Sequence, residues 1–111
     1  MSEQQQTVTV RQALDLAIQH HTAGRLSQAE NIYQQILQND HNHPVALHLS
    51  GVIAHQVGKN STALDLITKA LAVKPDYSEA HSNLGSLFGE LGRFDEAVAH
   101  CKMAIDITPD F

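Results

Sequence analysis

Gly24, Gly58 and Gly92 stand 34 residues apart, and the residues around them keep the same step. Ala17, Gly51 and Gly85 share that register, as do Ala29, Ala63 and Ala97, and Leu37, Leu71 and Ile105. A repeat of this length is one supersecondary unit that cannot bury its own apolar face, so successive units must stack. Between the glycines, apolar residues recur at three- and four-residue spacing. Val10, Ala13, Leu14, Ala17 and Ile18 precede the first glycine, and Ala29, Ile32, Tyr33, Ile36 and Leu37 follow it. That is the pattern of two amphipathic helices. Each glycine then closes a helix, because it takes the left-handed conformation without a Cβ penalty. The expected architecture is all-α: an α-solenoid of three helix–turn–helix hairpins over 10–43, 44–77 and 78–111.

Residues 1–9 read as a polar tail and helix start, in which Thr7 or Thr9 can cap the first helix. A second helix is predicted from Leu26 to Asn39, and the polar run from Asn39 to His43 links it to the next hairpin. Pro44 suits a first helical turn, where its missing N–H is not needed. Ser61 is the candidate cap of the fourth helix, whose stripe is Ala63, Leu64, Ile67, Ala70 and Leu71; Pro75 and Asp76 stop it. Antiparallel helices approach closely only where side chains are short. Ala17, Gly51 and Gly85 are therefore expected to face Ala29, Ala63 and Ala97, with Leu16, Leu84, Phe88, Tyr33 and Ile67 filling the space beside them.

This pattern resembles the tetratricopeptide repeat family, a helix–turn–helix unit of about 34 residues with small and aromatic residues at fixed places. The third copy carries the resemblance best, through Asn83, Leu84, Gly85, Phe88, Gly92, Phe94, Ala97, Ala104 and Pro109. The second departs at Ser50 and Ala54, where the family favours Leu and an aromatic. The first departs further, with Ala17, His20 and His41 in the places of Gly, an aromatic and Pro. The resemblance implies a right-handed superhelix. Pro109-Asp110-Phe111 echoes Pro75-Asp76-Tyr77 without a polar capping helix after it, so the array is expected to continue beyond 111. The face bearing Phe88, Val98, Cys101 and Ile105 is then expected to be partly exposed, a route to homo-oligomers through the C-terminal edge formed by Phe88, Val98 and Ile105.

Several functional classes are disfavoured. A formal charge of −5 over 111 residues does not suit nucleic-acid binding, which needs clustered Lys and Arg. No run of about 18 apolar residues suggests a membrane span. A single cysteine gives no disulfide framework, and a cytoplasmic location is expected. Eight histidines invite a metal reading. However, His48 and His55 lie about 10 Å apart along one helix by its rise per residue, and structural zinc wants four closely spaced Cys or His ligands. No metal or cofactor is expected. Gly58-Lys59-Asn60-Ser61 lacks the spacing of a phosphate-binding loop. No nucleophile–base pairing is visible, so the segment is read as non-enzymatic. Cys101 is taken as a small packing residue of the last helix.

What remains is a surface. By the resemblance, the first helix of each hairpin lines a concave groove. Its candidate partner-binding residues are Arg11, Leu14, Ile18 and His21; then His48, Leu49, Val52 and His55; then Glu79, Asn83 and Ser86. The resemblance implies that Asn83 can bond a peptide backbone through its amide. Some family members hold the C-terminal carboxylate of chaperones with several Lys, Arg and Asn residues, but here Arg11 stands alone and Glu79 and Glu90 repel. The primary expectation is a protein-interaction scaffold that binds an extended segment of a protein or peptide partner. One alternative is the substrate-recruiting arm of a larger enzyme such as a glycosyltransferase. Another is a self-assembly element using exposed repeat edges.

Overall fold

A computed structural model describes residues 9–109, leaving Thr7, Asp110 and Phe111 outside. It contains six helices: α1 (Val10–Thr22), α2 (Leu26–Asn39), α3 (Pro44–Gln56), α4 (Asn60–Val73), α5 (Ser78–Glu90) and α6 (Phe94–Ile107). They pair as hairpins α1–α2, α3–α4 and α5–α6, and each hairpin docks on the next through α2 on α3 and α4 on α5. The result is an elongated body of 56 × 27 × 24 Å, as stacking along one axis requires.

The helix ends follow local chemistry. Thr9 caps α1 in a reciprocal box: its hydroxyl accepts from the Gln12 N–H, and its own N–H donates to Gln12 Oε1, both at 3.0 Å. Pro44 opens α3, and His43 Nδ1 accepts from the Ala46 N–H at 3.2 Å. Gly24, Gly58 and Gly92 have φ of 81°, 85° and 78°, where any other residue would be strained. Each turn is fastened by a six-residue backbone bond, from Arg25 N to His20 O, Lys59 N to Ala54 O and Arg93 N to Phe88 O. This fastening makes Arg25, Lys59 and Arg93 the residues that precede the second helices. Ser61 is therefore not a cap: α4 begins one residue earlier at Asn60, and no side chain caps it.

Close approach at the small residues holds. A Cβ added to Gly51 would lie 2.7 Å from Ile67 Cγ1 and 3.4 Å from the Ala63 carbonyl oxygen. One added to Gly85 would lie 2.6 Å from Cys101 Sγ and 3.2 Å from the Ala97 carbonyl oxygen. Two apolar clusters result, one around Tyr33, Ile36 and Ile53, the other around Ile67, Leu84, Leu87 and Phe88.

Residues on the two ends depart from expectation. Leu16, read as core, is 48% exposed, because it faces the outer side of the first hairpin. Cys101, expected both as a packing residue and on the open face of the last helix, is exposed, with its sulfur edging Gly85. Phe88, assigned to the exposed C-terminal edge, is 6% exposed. Arg93 covers its ring at 4.6 Å and His100 stacks on it at 5.5 Å. The apolar surface that α6 leaves open is instead Val98, Ile105, Met103 and Phe94.

Candidate partner-binding face

Three hydrogen bonds join the first helices, each spanning 35 residues. His21 Nε2–H donates to Gln56 Oε1 at 2.7 Å, from α1 to the end of α3. Asn83 Nδ2–H on α5 donates to His48 Nε2 on α3 at 2.8 Å. His55 Nε2–H donates to Glu90 Oε1 at 2.9 Å. The first and third are the same link in successive hairpins, since His21 and His55, like Gln56 and Glu90, are 34 apart.

The His48 link continues inward. Its Nδ1–H donates to the Tyr77 hydroxyl oxygen at 3.0 Å, and the two rings meet edge-on at 4.7 Å. His48 is 3% exposed. Desolvation pushes its pKa down to about 4, against a smaller upward pull from the Glu79 carboxylate, so the ring is neutral at pH 7. Burial, then Glu79 and Tyr33, push the Tyr77 phenol up to about 12. With Asn83 donating to Nε2, the neutral ring carries its proton on Nδ1.

The expected groove residues therefore divide. Arg11, Leu14, Asp15 and Ile18 of α1 line a shallow cleft of about 240 Å³ with Val45 of α3. Arg11 lies 3.7 Å from Asp15 in an open ion pair. His21, Leu49, Val52 and His55 are half-buried, and Glu79 and Ser86 are exposed. His48, expected to offer its ring to a ligand, is buried beneath the face with both nitrogens engaged. The Asn83 amide, expected to bond a peptide backbone, is half-buried and already donates to His48.

Other buried polar chemistry escaped the sequence reading. The Tyr33 hydroxyl is buried with no hydrogen-bond partner among the described residues, and burial raises its pKa. His81 donates from Nε2 to the Pro75 carbonyl oxygen at 2.8 Å and accepts at Nδ1 from His100 at 3.0 Å. Desolvation, and then His81, lower the His100 pKa. A signal for the second pair existed in the 19-residue offset between α5 and α6, but only packed helices give that offset meaning. A larger cleft of about 460 Å³ lies on the outer side of the first hairpin, lined by Val10, Ala13, Leu16, Ile32 and Ile36 among others. Among the described residues, no three His, Cys, Asp or Glu side chains converge, and no helix is long and apolar enough to cross a membrane.

The tetratricopeptide repeat family model matches residues 78–111, the α5–α6 hairpin, and the other two hairpins repeat that geometry. Residues 78–111 match the tetratricopeptide repeat family, and the whole chain has the fold of solved tetratricopeptide structures. It resembles DnaJ homolog subfamily C member 3 of Mus musculus, 27% identical over 90% of this chain. The chain spans about one fifth of that relative's length. Among solved structures, an O-GlcNAc transferase of Thermobaculum terrenum superposes with a TM-score of 0.89 at 24% identity, over 92% of this chain and 20% of that one. The first repeat domain of Spaghetti (RPAP3), bound to an HSP90 peptide, superposes with a TM-score of 0.84 at 18% identity, over 92% of this chain and 81% of that one. These likenesses show the fold.

Proposed function

We propose that this tetratricopeptide array, taken as repeat units 10–43, 44–77 and 78–111, is a non-enzymatic interaction module that binds an extended partner segment along α1, α3 and α5. The observation that carries the reading is the 240 Å³ cleft between α1 and α3, where Ile18 is exposed and Leu14 and Val45, packed on the core from one side, are half-buried. Leu49 and Val52 continue that apolar lane on α3, and His21 and His55 border it. The peptide-bound Spaghetti domain shares the fold, which supports a peptide ligand without specifying one. His48 and Asn83 act from below, holding α3 and α5 in register so that the lane is preformed. The test is peptide selection on the full chain, followed by amide shift mapping. Shifts concentrated on α1, α3 and α5 are expected. Saturable binding that survives both Val52→Glu and His55→Glu would overturn the assignment.

A second reading has its own support. Val98 and Ile105 of α6 are 53% and 55% exposed. Their register mates in α4, Leu64 and Leu71, pack against the cluster that contains Tyr77, Leu84 and Leu87. The open cleft of the first hairpin, with Val10, Ala13 and Leu16, stands in register with the α3 and α5 surfaces that such packing covers. One copy can therefore continue another head to tail, as a heterologous contact. A molar mass that grows with concentration and falls on Ile105→Glu supports this; a monomer at every concentration excludes it. The likeness to a fifth of the O-GlcNAc transferase chain is also compatible with a substrate-recruiting arm of a larger enzyme.

A further inference from the structure

The three register lanes of the first-helix face change character along the array. In the lane of Arg11, Val45 and Glu79, the charge runs from positive through apolar to negative. In the neighbouring lanes, Asp15, Leu49 and Asn83 follow one another, then Ile18, Val52 and Ser86. The apolar side chains thus gather on α1 and α3, and polar ones on α5.

Charge is distributed unevenly over that face. At the α1 end, Arg11 and Asp15 lie 3.7 Å apart and cancel. At the α5 end, Glu79 is exposed and has no ion-pair partner among the described residues. Its carboxylate is close enough to the face to act on both His48 and Tyr77. Glu90 is held toward α3 by His55 and stays open to solvent. The basic groups near this end make other contacts: Lys74 sits over the Tyr77 ring at 5.0 Å without an ion pair to Glu79 among the described residues, and Arg93 is spent on Phe88 and Glu96. A partner that covers α5 must therefore supply positive charge or leave Glu79 unpaired against it.

We propose that the face takes a segment with an apolar residue seated over Leu14, Ile18 and Val45 and a lysine or arginine one hairpin further along, over Glu79, while Glu90, about 16 Å away at the far end of α5, adds to the negative charge of that side. This rests on the peptide-groove reading and adds the chemical class of the partner. Arginine is the better fit, since its planar fork can meet a carboxylate with two hydrogen bonds. The same arrangement disfavours an acidic tail, because the Glu79 carboxylate, unpaired among the described residues, and Glu90 repel it.

The test is selection from a random dodecapeptide library on the full chain, followed by affinity measurements on the selected peptides. Enrichment of an apolar residue followed by Lys or Arg is expected. Replacing that basic residue by Glu is expected to weaken binding about fivefold or more, an effect that shrinks as salt rises. In the Glu79→Lys, Glu90→Lys double variant, the preference should reverse toward Asp and Glu. Both positions are exposed, so an unchanged circular dichroism melt serves as the folding control. Selected peptides that require Val52 but show no basic preference, or keep it in the double variant, overturn the inference and leave the groove reading intact. Selected peptides indifferent to Val52→Glu overturn both.

Discussion

His48 and His55 lie two turns apart on α3, and each reaches a residue of α5 that stands 35 positions further on. Their surroundings are opposite. His48 is 3% exposed, neutral, and tied on both nitrogens, to Asn83 and Tyr77. The His55 side chain is 25% exposed and meets a Glu90 carboxylate that is 57% exposed. A hydrogen bond sealed from water carries the desolvation cost of either partner if the other is removed; one at the rim lets water replace the missing group. The inner link should therefore fix how α5 sits on α3, and the outer link should only trim that face.

The largest difference is expected on truncation. His48→Ala leaves the Tyr77 hydroxyl without its donor and opens a cavity, at a cost of about 3 kcal/mol. For a domain of this size, the melting midpoint should fall by about 15 °C in a circular dichroism melt. His55→Ala should move it by only a few degrees. Equal shifts for the two variants would erase the distinction between floor and rim.

Acid provides a comparable test without mutation. An unfolded histidine takes up its proton near 6.5, whereas His48 in the fold resists until about 4. Between those values the unfolded chain binds more protons, so stability falls as pH drops from 6.5 toward 4 and levels off below. The loss assignable to His48 approaches about 3 kcal/mol, and the lowered His100 adds to it with the same sign. Urea unfolding at a series of pH values measures the slope. His48→Leu, which cannot titrate, should flatten most of it. A slope unchanged in that variant would place the acid sensitivity elsewhere.

The comparison also explains how much was legible in the sequence. Gly24, Gly58 and Gly92 announce the three turns because a positive φ is a local demand with one good chemical answer. The bounds of α2 follow from the same local rules. The helix stripe around Ala17 and Tyr33 is legible from spacing, but spacing does not say which neighbour covers an edge. Leu16 therefore reads as core and is exposed, while Cys101 and Phe88 each read as both packed and edge, and the structure exposes Cys101 and covers Phe88 with Arg93 and His100. Ser61 misled because its hydroxyl suits a cap, whereas the backbone bond from Lys59 had already set the helix start. The His48–Asn83–Tyr77 link was hidden for a different reason. The register mates of His48 and Asn83 one period earlier are the apolar Leu14 on α1 and Leu49 on α3, so the link repeats in position and not in chemistry. Its 35-residue offset also sits one step outside the 34-residue period.

A smaller effect is expected at Asn83. Asn83→Ala removes the donor to His48 Nε2 but leaves the Tyr77 contact in place, and the half-buried site lets water approach. A loss of about 1 kcal/mol in urea unfolding is expected, between those of the two histidine truncations. The freed Nε2 should also shift in a histidine nitrogen spectrum. A loss as large as that of His48→Ala would mean that the amide, and not the phenol, holds the buried ring.

The smallest effect belongs to the rim, and a double-mutant cycle isolates it. Single and paired changes at His55 and Glu90 remove one hydrogen bond between partly exposed groups, where pairs of this kind couple by roughly 0.2–1 kcal/mol. The value here should sit at the low end and shrink as salt rises, because screening reaches charges open to solvent. The matching cycle at His48 and Asn83 should give a coupling near 1 kcal/mol that salt leaves unchanged, since neither partner is charged at pH 7. If instead the His55–Glu90 coupling is the larger, then the fold is held from its rim, and substitutions that alter the ligand preference of the face would alter its stability as well. If the ordering stands, the rim is free to vary: Glu90 and its neighbours can change partner preference while His48, buried beneath the face, keeps α3 and α5 aligned.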